Sequence, residues 1–276
     1  MPELPEVETV RRSLEPVVLH HPIERVDVHY SRILQHCSVQ DFQDIITGNQ
    51  FLEITRRGKY LIFSLENHWE LVAHLRMTGR LIFVSDSNLP LEKHTSVVFD
   101  FGSAGALRFE DVRKFATLDL VRAGDYGQIK GLSTLGVEPL SPEFTFPVFQ
   151  ELLGARTTKI KGLLLDQTKI AGLGNIYADE SLFMAGIHPE RPANSLSLEE
   201  QELLHRSIQE VLVLAIENQG TTLRDYRTGY GLEGSFQNKL LIYGKKGEDC
   251  PRCKTKLEHK KVAGRTSHFC PSCQRE

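Results

Sequence analysis

The sequence predicts an α+β chain of two domains. An N-terminal antiparallel β-sandwich or barrel, entered by a helix, is followed by a helical C-terminal part that ends in a metal-binding ribbon. Three observations carry this. Short segments with strand alternation crowd residues 23–122, the apolar period turns helical from about residue 148, and four of the five cysteines lie in the last 27 residues. The length of 276 residues suits one large domain or two of ordinary size. With 40% hydrophobic and 25% charged residues, disorder, collagen and coiled coil are excluded for the chain as a whole. No apolar run approaches the ~20 residues of a membrane helix. The opening MPELPEVETVRRSLEP has no apolar signal segment, so the expectation is a cytoplasmic protein that makes no membrane contact.

Taken in order, the first element is a helix. Pro5 suits a first-turn position, and Glu3, Glu6 and Glu8 suit the positive end of the helix dipole. Val7, Val10 and Leu14 follow at helical spacing, and Pro16 predicts a stop. IERVDVHY alternates with Val26, Val28 and Tyr30 on one face; KYLIFSL, ELVAHL, RLIFV, SVVFDF and ALRFEDV are further strands, with Gly102–Gly105 as a hairpin turn. The Gly- and Pro-rich stretch 124–147 marks the boundary, which gives a first domain over 1–131 and a linker over 132–147. Helices are then predicted around Phe149–Leu153, Lys161–Leu165 and Ile176–Ala185. A fourth is entered by the capping box Ser197/Glu200, carries Leu203, Leu204, Ile208, Val211, Leu212, Ala215 and Ile216 on a stripe, and ends near Gly220.

The net charge of −3 hides an asymmetry. From Gln219 onward there are twelve Lys/Arg against six Asp/Glu, a net +6, whereas the preceding residues carry −9. A basic end on an acidic body suits an anionic partner, or simply a solvated lysine-rich tail. Within that end, Cys250-x-x-Cys253 and Cys270-x-x-Cys273 are separated by 16 residues, the spacing of a four-thiolate zinc site. Four sulfurs close a tetrahedron, so the expected ion is one structural Zn²⁺. The alternatives are two disulfides, or replacement of a cysteine ligand by His259 or His268. Between the knuckles a two-stranded ribbon is expected, with Gly264 at or near its turn and Arg265 at its tip.

Met1-Pro2 permits removal of the initiator methionine. The chain would then begin with a secondary amine, partly unprotonated near neutral pH. Glu3 and Glu6 lie one helical turn apart beside it. An amine nucleophile with two carboxylates can form an iminium with a sugar carbon and move protons around it. The alternative is a well-capped first helix and nothing more.

Together, MPELPEVETVRRSLEP, the segment Gly172–Phe183 (GLGNIYADESLF) and the four-cysteine tail with Gly264-Arg265 resemble bacterial formamidopyrimidine-DNA glycosylases, in the family's order and over essentially the whole chain. The resemblance implies a β-sandwich with flanking helices, then a helix–two-turn–helix bundle over 148–220, a lesion-recognition loop and connection over 221–243 and a zinc ribbon over 244–276. It implies a monomer that binds double-stranded DNA between the domains, flips out oxidised purines, excises them and cleaves the strand by β,δ-elimination.

By the same resemblance Pro2 is the nucleophile, Glu3 the general acid/base and Glu6 a supporting carboxylate. Lys59 and Arg265 grip phosphates beside the flipped nucleotide, and Asn175 grips phosphate from the GLGN turn. Met77, Arg113 and Phe115 are the wedge that fills the emptied stack, and His74 lies near the backbone-binding surface. Read without the family, Lys59 is an exposed strand-end lysine, Met77 and Phe115 are core residues at strand ends, and Arg113 is a surface arginine.

The glycine-rich stretch Thr221–Ser235 aligns with the lesion-recognition loop and suits a lid. The chain departs from the family at Arg227-Thr228, where Val-Asn is more frequent, at Lys254, where Gly is usual, and at Ser96, where His is common. Two other functions compete. An endonuclease VIII-like enzyme for oxidised pyrimidines would begin PEGPE, whereas this chain begins PELPEVET. A non-catalytic zinc protein that recognises distorted DNA has no use for Pro2 beside two carboxylates.

Overall fold

A computed structural model describes residues 1–154 and 157–275. Its contacts divide the chain into two units: Met1–Ser133 with Asn218–Gln237, and Thr134–Glu217 with Asn238–Glu276.

The first unit opens with helix α1 (Leu4–Val18), entered through a capping box formed by Glu3 and Glu6. Its apolar stripe of Val7, Val10, Leu14 and Val18 is buried. The helix does not stop at Pro16 as the sequence predicts. Proline removes one backbone donor, but only two helical residues follow it, and burial of Val18 holds that last turn in place. Strands β1 (Arg25–Val28) and β2 (Leu34–Gln35) and helix α2 (Val39–Ile46) follow. Next come β3 (Phe51–Arg57), β4 (Tyr60–Leu65), β5 (Trp69–His74), β6 (Gly79–Val84), β7 (Thr95–Asp100), β8 (Ala106–Asp111), β9 (Thr117–Arg122) and the short helix α3 (Lys130–Ser133).

Two sheets result, ordered β1-β7-β8-β6 and β2-β9-β5-β4-β3. All pairings are antiparallel except the two-residue β2–β9 contact. The inward residues alternate as period 2 demands: Leu61, Phe63 and Leu65 on β4 and Leu118 and Leu120 on β9 share one core with Val97 and Phe99 of β7 and Leu107 and Phe109 of β8. Phe51 bridges the sheets, its ring 5.1 Å from Phe63 and 5.9 Å from Phe99. The fold is therefore a sandwich with α1 packed into the same core. Between β7 and β8, Gly102–Ala104 form the expected tight turn.

Glu8 fastens α1 to the sheet. It is buried and accepts from Arg11, Arg12 and Arg56. Burial alone would raise its pKa; the hydrogen bonds from Arg11 and Arg12, with the charges of Arg11 and Arg56, hold it at about 2 instead. The unfolded chain therefore binds a proton there first as pH falls. The stability Glu8 supplies is complete above the ordinary carboxylate pKa of 4.5 and is lost between there and about pH 2. Glu8→Gln is expected to cost about 1.5–3 kcal/mol at pH 7, and the difference from the parent chain should vanish in acid denaturation below pH 2. Urea titrations at pH 7, 4 and 2 measure this.

The second unit contains α4 (Phe146–Leu153), α5 (Ile160–Leu165), α6 (Asn175–Met184), α7 (Leu198–Glu217) and the ribbon strands β10 (Glu258–Val262) and β11 (Arg265–Phe269). The capping box of α7 forms as expected: Glu200 N–H donates to Ser197 Oγ at 3.2 Å and Ser197 N–H to Glu200 Oε2 at 2.8 Å. The stripe of α7 buries Leu204, Ile208, Val211, Leu212 and Ala215, but Leu203 is 40% exposed and His205 lies in the buried face instead. His205 Nε2 meets the Phe144 carbonyl at 2.8 Å, and its ring stacks on Phe144. Among the described residues no helix is long and apolar enough to cross a membrane.

Candidate functional site

Pro2 is buried at the entrance of α1, and Met1 before it is exposed. Glu3 and Glu6 are 3% and 1% exposed. One oxygen of Glu6 accepts from Glu3 N–H at 2.8 Å, and the other accepts from Thr221 N–H at 2.7 Å. The helix is thus capped, and the contacts that cap it hold both carboxylates: Glu6 by the two bonds above, and Glu3 by accepting the Glu6 N–H of the capping box. Thr221 comes from the glycine-rich segment that follows α7. Gly220, at φ +74°, has to be glycine there: a Cβ would lie 2.8 Å from Glu6 Oε1. The segment is also tied down further along. Gly229 N–H donates to Ser13 Oγ at 2.8 Å, and Phe83 N–H to the Gly229 carbonyl at 2.8 Å. Arg227, at the family departure, pairs with Glu233 at 2.9 Å.

Lys59 occupies the two-residue turn of the β3–β4 hairpin, where Arg57 pairs with Tyr60. It is 7% exposed, which overturns the exposed strand-end alternative. Arg56 braces this turn, donating to the Gly58 carbonyl at 3.1 Å while bound to Glu8.

His74 is likewise only 7% exposed. Its Nδ1 accepts from Arg76 N–H at 2.9 Å, so the neutral ring carries its proton on Nε2. Burial, then the charges of Arg76 and Lys59, bring its pKa down to about 3. The expected NMR signature is an Nε2–H imidazole that does not titrate between pH 5 and 8. A midpoint near 6.5 would contradict this environment.

Met77, Arg113 and Phe115 come together on the surface, not in the core. Met77 and Phe115 are 42% and 54% exposed. Arg113 lies between them, with Nη1 2.9 Å from Met77 Sδ and its guanidinium 4.8 Å from the Phe115 ring centre. The core alternative for the two apolar residues is therefore wrong. Two exposed apolar side chains around a cation form a projection able to enter a base stack.

In the second unit, α6 starts at Asn175, after the GLGN turn that Gln167 braces through Gly172 N–H and the Leu173 carbonyl. Asn175 Nδ2 donates to the Thr266 carbonyl of β11 at 2.9 Å. Lys161, fully buried, pairs with Asp179 at 2.5 Å and also reaches the Thr266 carbonyl at 3.2 Å. Asp179 in turn accepts from His268 N–H at 2.9 Å. Asn175 and the ribbon that carries Arg265 thus belong to one bonded group. Gln167, Lys161 and Asp179 went unmarked in the sequence, because only long-range contacts reveal their role. The ribbon reverses at Ala263-Gly264, both with positive φ, which is the geometry of a two-residue hairpin turn. Arg265 follows directly and is exposed.

The four cysteine sulfurs lie within 4.8 Å of one another. Cys250–Cys273 and Cys253–Cys270 are 3.8 and 3.5 Å apart, too far for S–S bonds and close to the edges of a tetrahedron about an ion with sulfurs at about 2.3 Å. His268 is held by Asp179 instead of joining the set, and among the described residues no histidine joins the cluster. Four thiolates with no open position fit one structural Zn²⁺. Lys254 adopts φ +66°, a left-handed bend that favours glycine and that a lysine holds only under strain.

Three family models match in succession: the formamidopyrimidine-DNA glycosylase N-terminal domain over residues 1–118, its H2TH domain over 135–227, and a zinc finger found in FPG and IleRS over 247–275. A formamidopyrimidine-DNA glycosylase of Brevibacillus brevis is 48% identical, covering 100% of this chain and 99% of the relative. The Lactococcus lactis Fpg in complex with abasic-site DNA is 42% identical with a TM-score of 0.91, covering 99% of this chain and 100% of that one. A mutant of the same protein, bound to DNA containing Fapy-dG, superposes with a TM-score of 0.92 at 42% identity, covering 100% of both chains.

Proposed function

We propose a reaction that proceeds from one premise: this chain belongs to the formamidopyrimidine-DNA glycosylase family. It is a base-excision repair enzyme that removes oxidised purines, 8-oxoguanine and formamidopyrimidines, from duplex DNA and then cuts the strand. The observation that carries this is the corner in which Pro2 precedes two buried carboxylates, one of them held at both oxygens by backbone N–H groups.

In this reading Met1 is removed and the Pro2 nitrogen attacks C1′ of the flipped nucleotide. The C1′–N bond to the base breaks, the base leaving with a proton and the proline nitrogen losing its own. The ring then opens at C1′–O4′, O4′ takes a proton, and the amine and sugar remain joined as an iminium. Glu3 passes protons to and from the opening sugar, and Glu6 offsets the developing positive charge. Loss of a C2′ proton expels the 3′ phosphate, and a second elimination expels the 5′ phosphate. Lys59 balances the carboxylates and grips a phosphate beside the lesion. Met77, Arg113 and Phe115 occupy the emptied stack. In the second unit, Asn175, the backbone N–H groups at the start of α6 and Arg265 bind phosphates. The zinc ion holds the ribbon's shape and takes no part in bond breaking. In this reading the enzyme acts as a monomer on DNA in a bacterial cytoplasm; the relatives it matches come from bacteria.

The test is single-turnover cleavage of duplexes that differ only in one nucleotide. Cutting at 8-oxoguanine and Fapy-dG far ahead of an oxidised pyrimidine supports the reading. The reverse order moves the assignment to the pyrimidine enzymes, and cutting of none refutes it. The phosphate contacts make a second expectation. Log affinity should fall linearly with log salt, and Arg265→Ala should flatten that slope by about 0.9. An unchanged slope in anisotropy titrations would remove Arg265 from the interface.

A further inference from the structure

We infer that Asp111 is a positioning residue that assembles Met77, Arg113 and Phe115 into a wedge before DNA arrives. The inference rests on the wedge reading above. Asp111 ends β8, directly opposite Gly79, the first residue of β6. The turn that carries Met77 and the loop that carries Arg113 and Phe115 therefore meet at one point, where the Asp111 carboxylate lies 1% exposed. One oxygen takes the Thr78 hydroxyl and, at 3.1 Å, Arg113 N–H. The other takes Phe115 N–H at 2.7 Å and Ala116 N–H at 2.8 Å. Thr78 completes the circuit, since its oxygen accepts from Arg113 N–H at 3.1 Å.

Both loops contain a non-glycine residue in the left-handed region, Arg76 at φ +52° and Lys114 at φ +58°. Such conformations persist where surrounding bonds over-determine them. Around Lys114 the Asp111 carboxylate does so, through Arg113, Phe115 and Ala116 N–H. Arg76 N–H is held by His74 Nδ1, and Thr78 ties that turn to the same carboxylate, leaving Met77 and Phe115 exposed. A carboxylate suits four donors because it only accepts. An amide in its place would turn two of its own donors toward N–H or O–H groups.

The test uses the full-length zinc-loaded protein. A lesion duplex carries 2-aminopurine beside the lesion, and stopped-flow fluorescence follows opening of the stack. Borohydride trapping on an abasic duplex, where no base has to leave the stack, reads the chemistry separately. Asp111→Asn is expected to slow opening about tenfold or more, with trapping on abasic DNA within threefold of the parent. Adding it to a chain that already carries Met77→Ala, Arg113→Ala and Phe115→Ala should slow opening no further, because Asp111 acts through those three side chains. Thr78→Val, which removes only the link between the loops, should slow opening about threefold and serves if Asp111→Asn does not fold.

Parent-like opening in either variant, with Phe115→Ala slow, overturns the inference and keeps the wedge. Equal slowing of opening and abasic trapping also overturns it, because Asp111 would then support the fold at large. Parent-like opening in Phe115→Ala refutes the wedge reading, and the inference with it.

Discussion

A chain with an uncleaved extension ahead of Pro2 is expected to lose strand cutting and base excision by a factor on the order of 10³ or more, comparable to removing the nucleophile of other covalent enzymes. The extension changes one atom's chemistry. It turns the Pro2 nitrogen from a secondary amine into a tertiary amide, whose lone pair is delocalised and cannot attack C1′. The fold gives no reason for any other loss. Met1 is already exposed, α1 begins at Leu4, and the Glu3/Glu6 capping box forms with Met1 in place. Affinity for lesion DNA should therefore stay within a few-fold while turnover collapses. Cleaving the extension off should restore the rate, and intact mass should show Pro2 as the first residue of the active form. Full activity with the extension still attached would remove Pro2 from the chemistry.

The second large effect concerns the zinc ribbon. Cys250 is fully buried in a small core with Phe183, Ile242, Leu257 and Cys270. Its sulfur belongs to the four-sulfur cluster, so Cys250→Ser strikes the ion and the packing together. Structural zinc contributes about 10–16 kcal/mol in isolated fingers, far more than this small core can replace. The variant should bind less than one zinc per chain, and DNA affinity should fall at least about a hundredfold. The sandwich, with its own core, should keep its unfolding transition. Chelation of the parent protein should reproduce the loss, and added Zn²⁺ should reverse it. Retained zinc and parent-like affinity in Cys250→Ser would mean that the ribbon's metal site is misassigned.

Most of the fold was legible because its signals are local. The alternation of β1, the apolar run of β4, the Ser197/Glu200 box and the paired cysteine knuckles depend on neighbours within a few positions, whereas β9 was not among the predicted strands. What escaped depends on contacts between distant residues. Pro16 as a stop was a sound local rule, overridden by burial of Val18. Asn218–Gln237 packs with the first unit through Thr221–Glu6 and Gly229–Ser13, contacts that span more than 200 positions.

The candidate site divides in the same way. Pro2, Glu3, Glu6 and the cysteines declare themselves by type and spacing. Met77 and Phe115 read as core on hydrophobicity alone, and only the family resemblance set them on the surface. Asp111, Thr78 and Lys161 carry no motif that the chain's own spacing makes visible. A strand-ending aspartate followed by a Val-Arg-Lys-Phe loop is the signal that could have pointed to the first of them.

The most direct test of the central claim is borohydride trapping with the modified residue located by mass spectrometry. The protein, shown to begin at Pro2, is mixed with duplex DNA that holds one 8-oxoguanine opposite cytosine, then reduced. The expected result is a covalent adduct on the Pro2 nitrogen, absent with undamaged duplex. An adduct on a lysine, or none at all while the 8-oxoguanine base is still released, would contradict the proline mechanism.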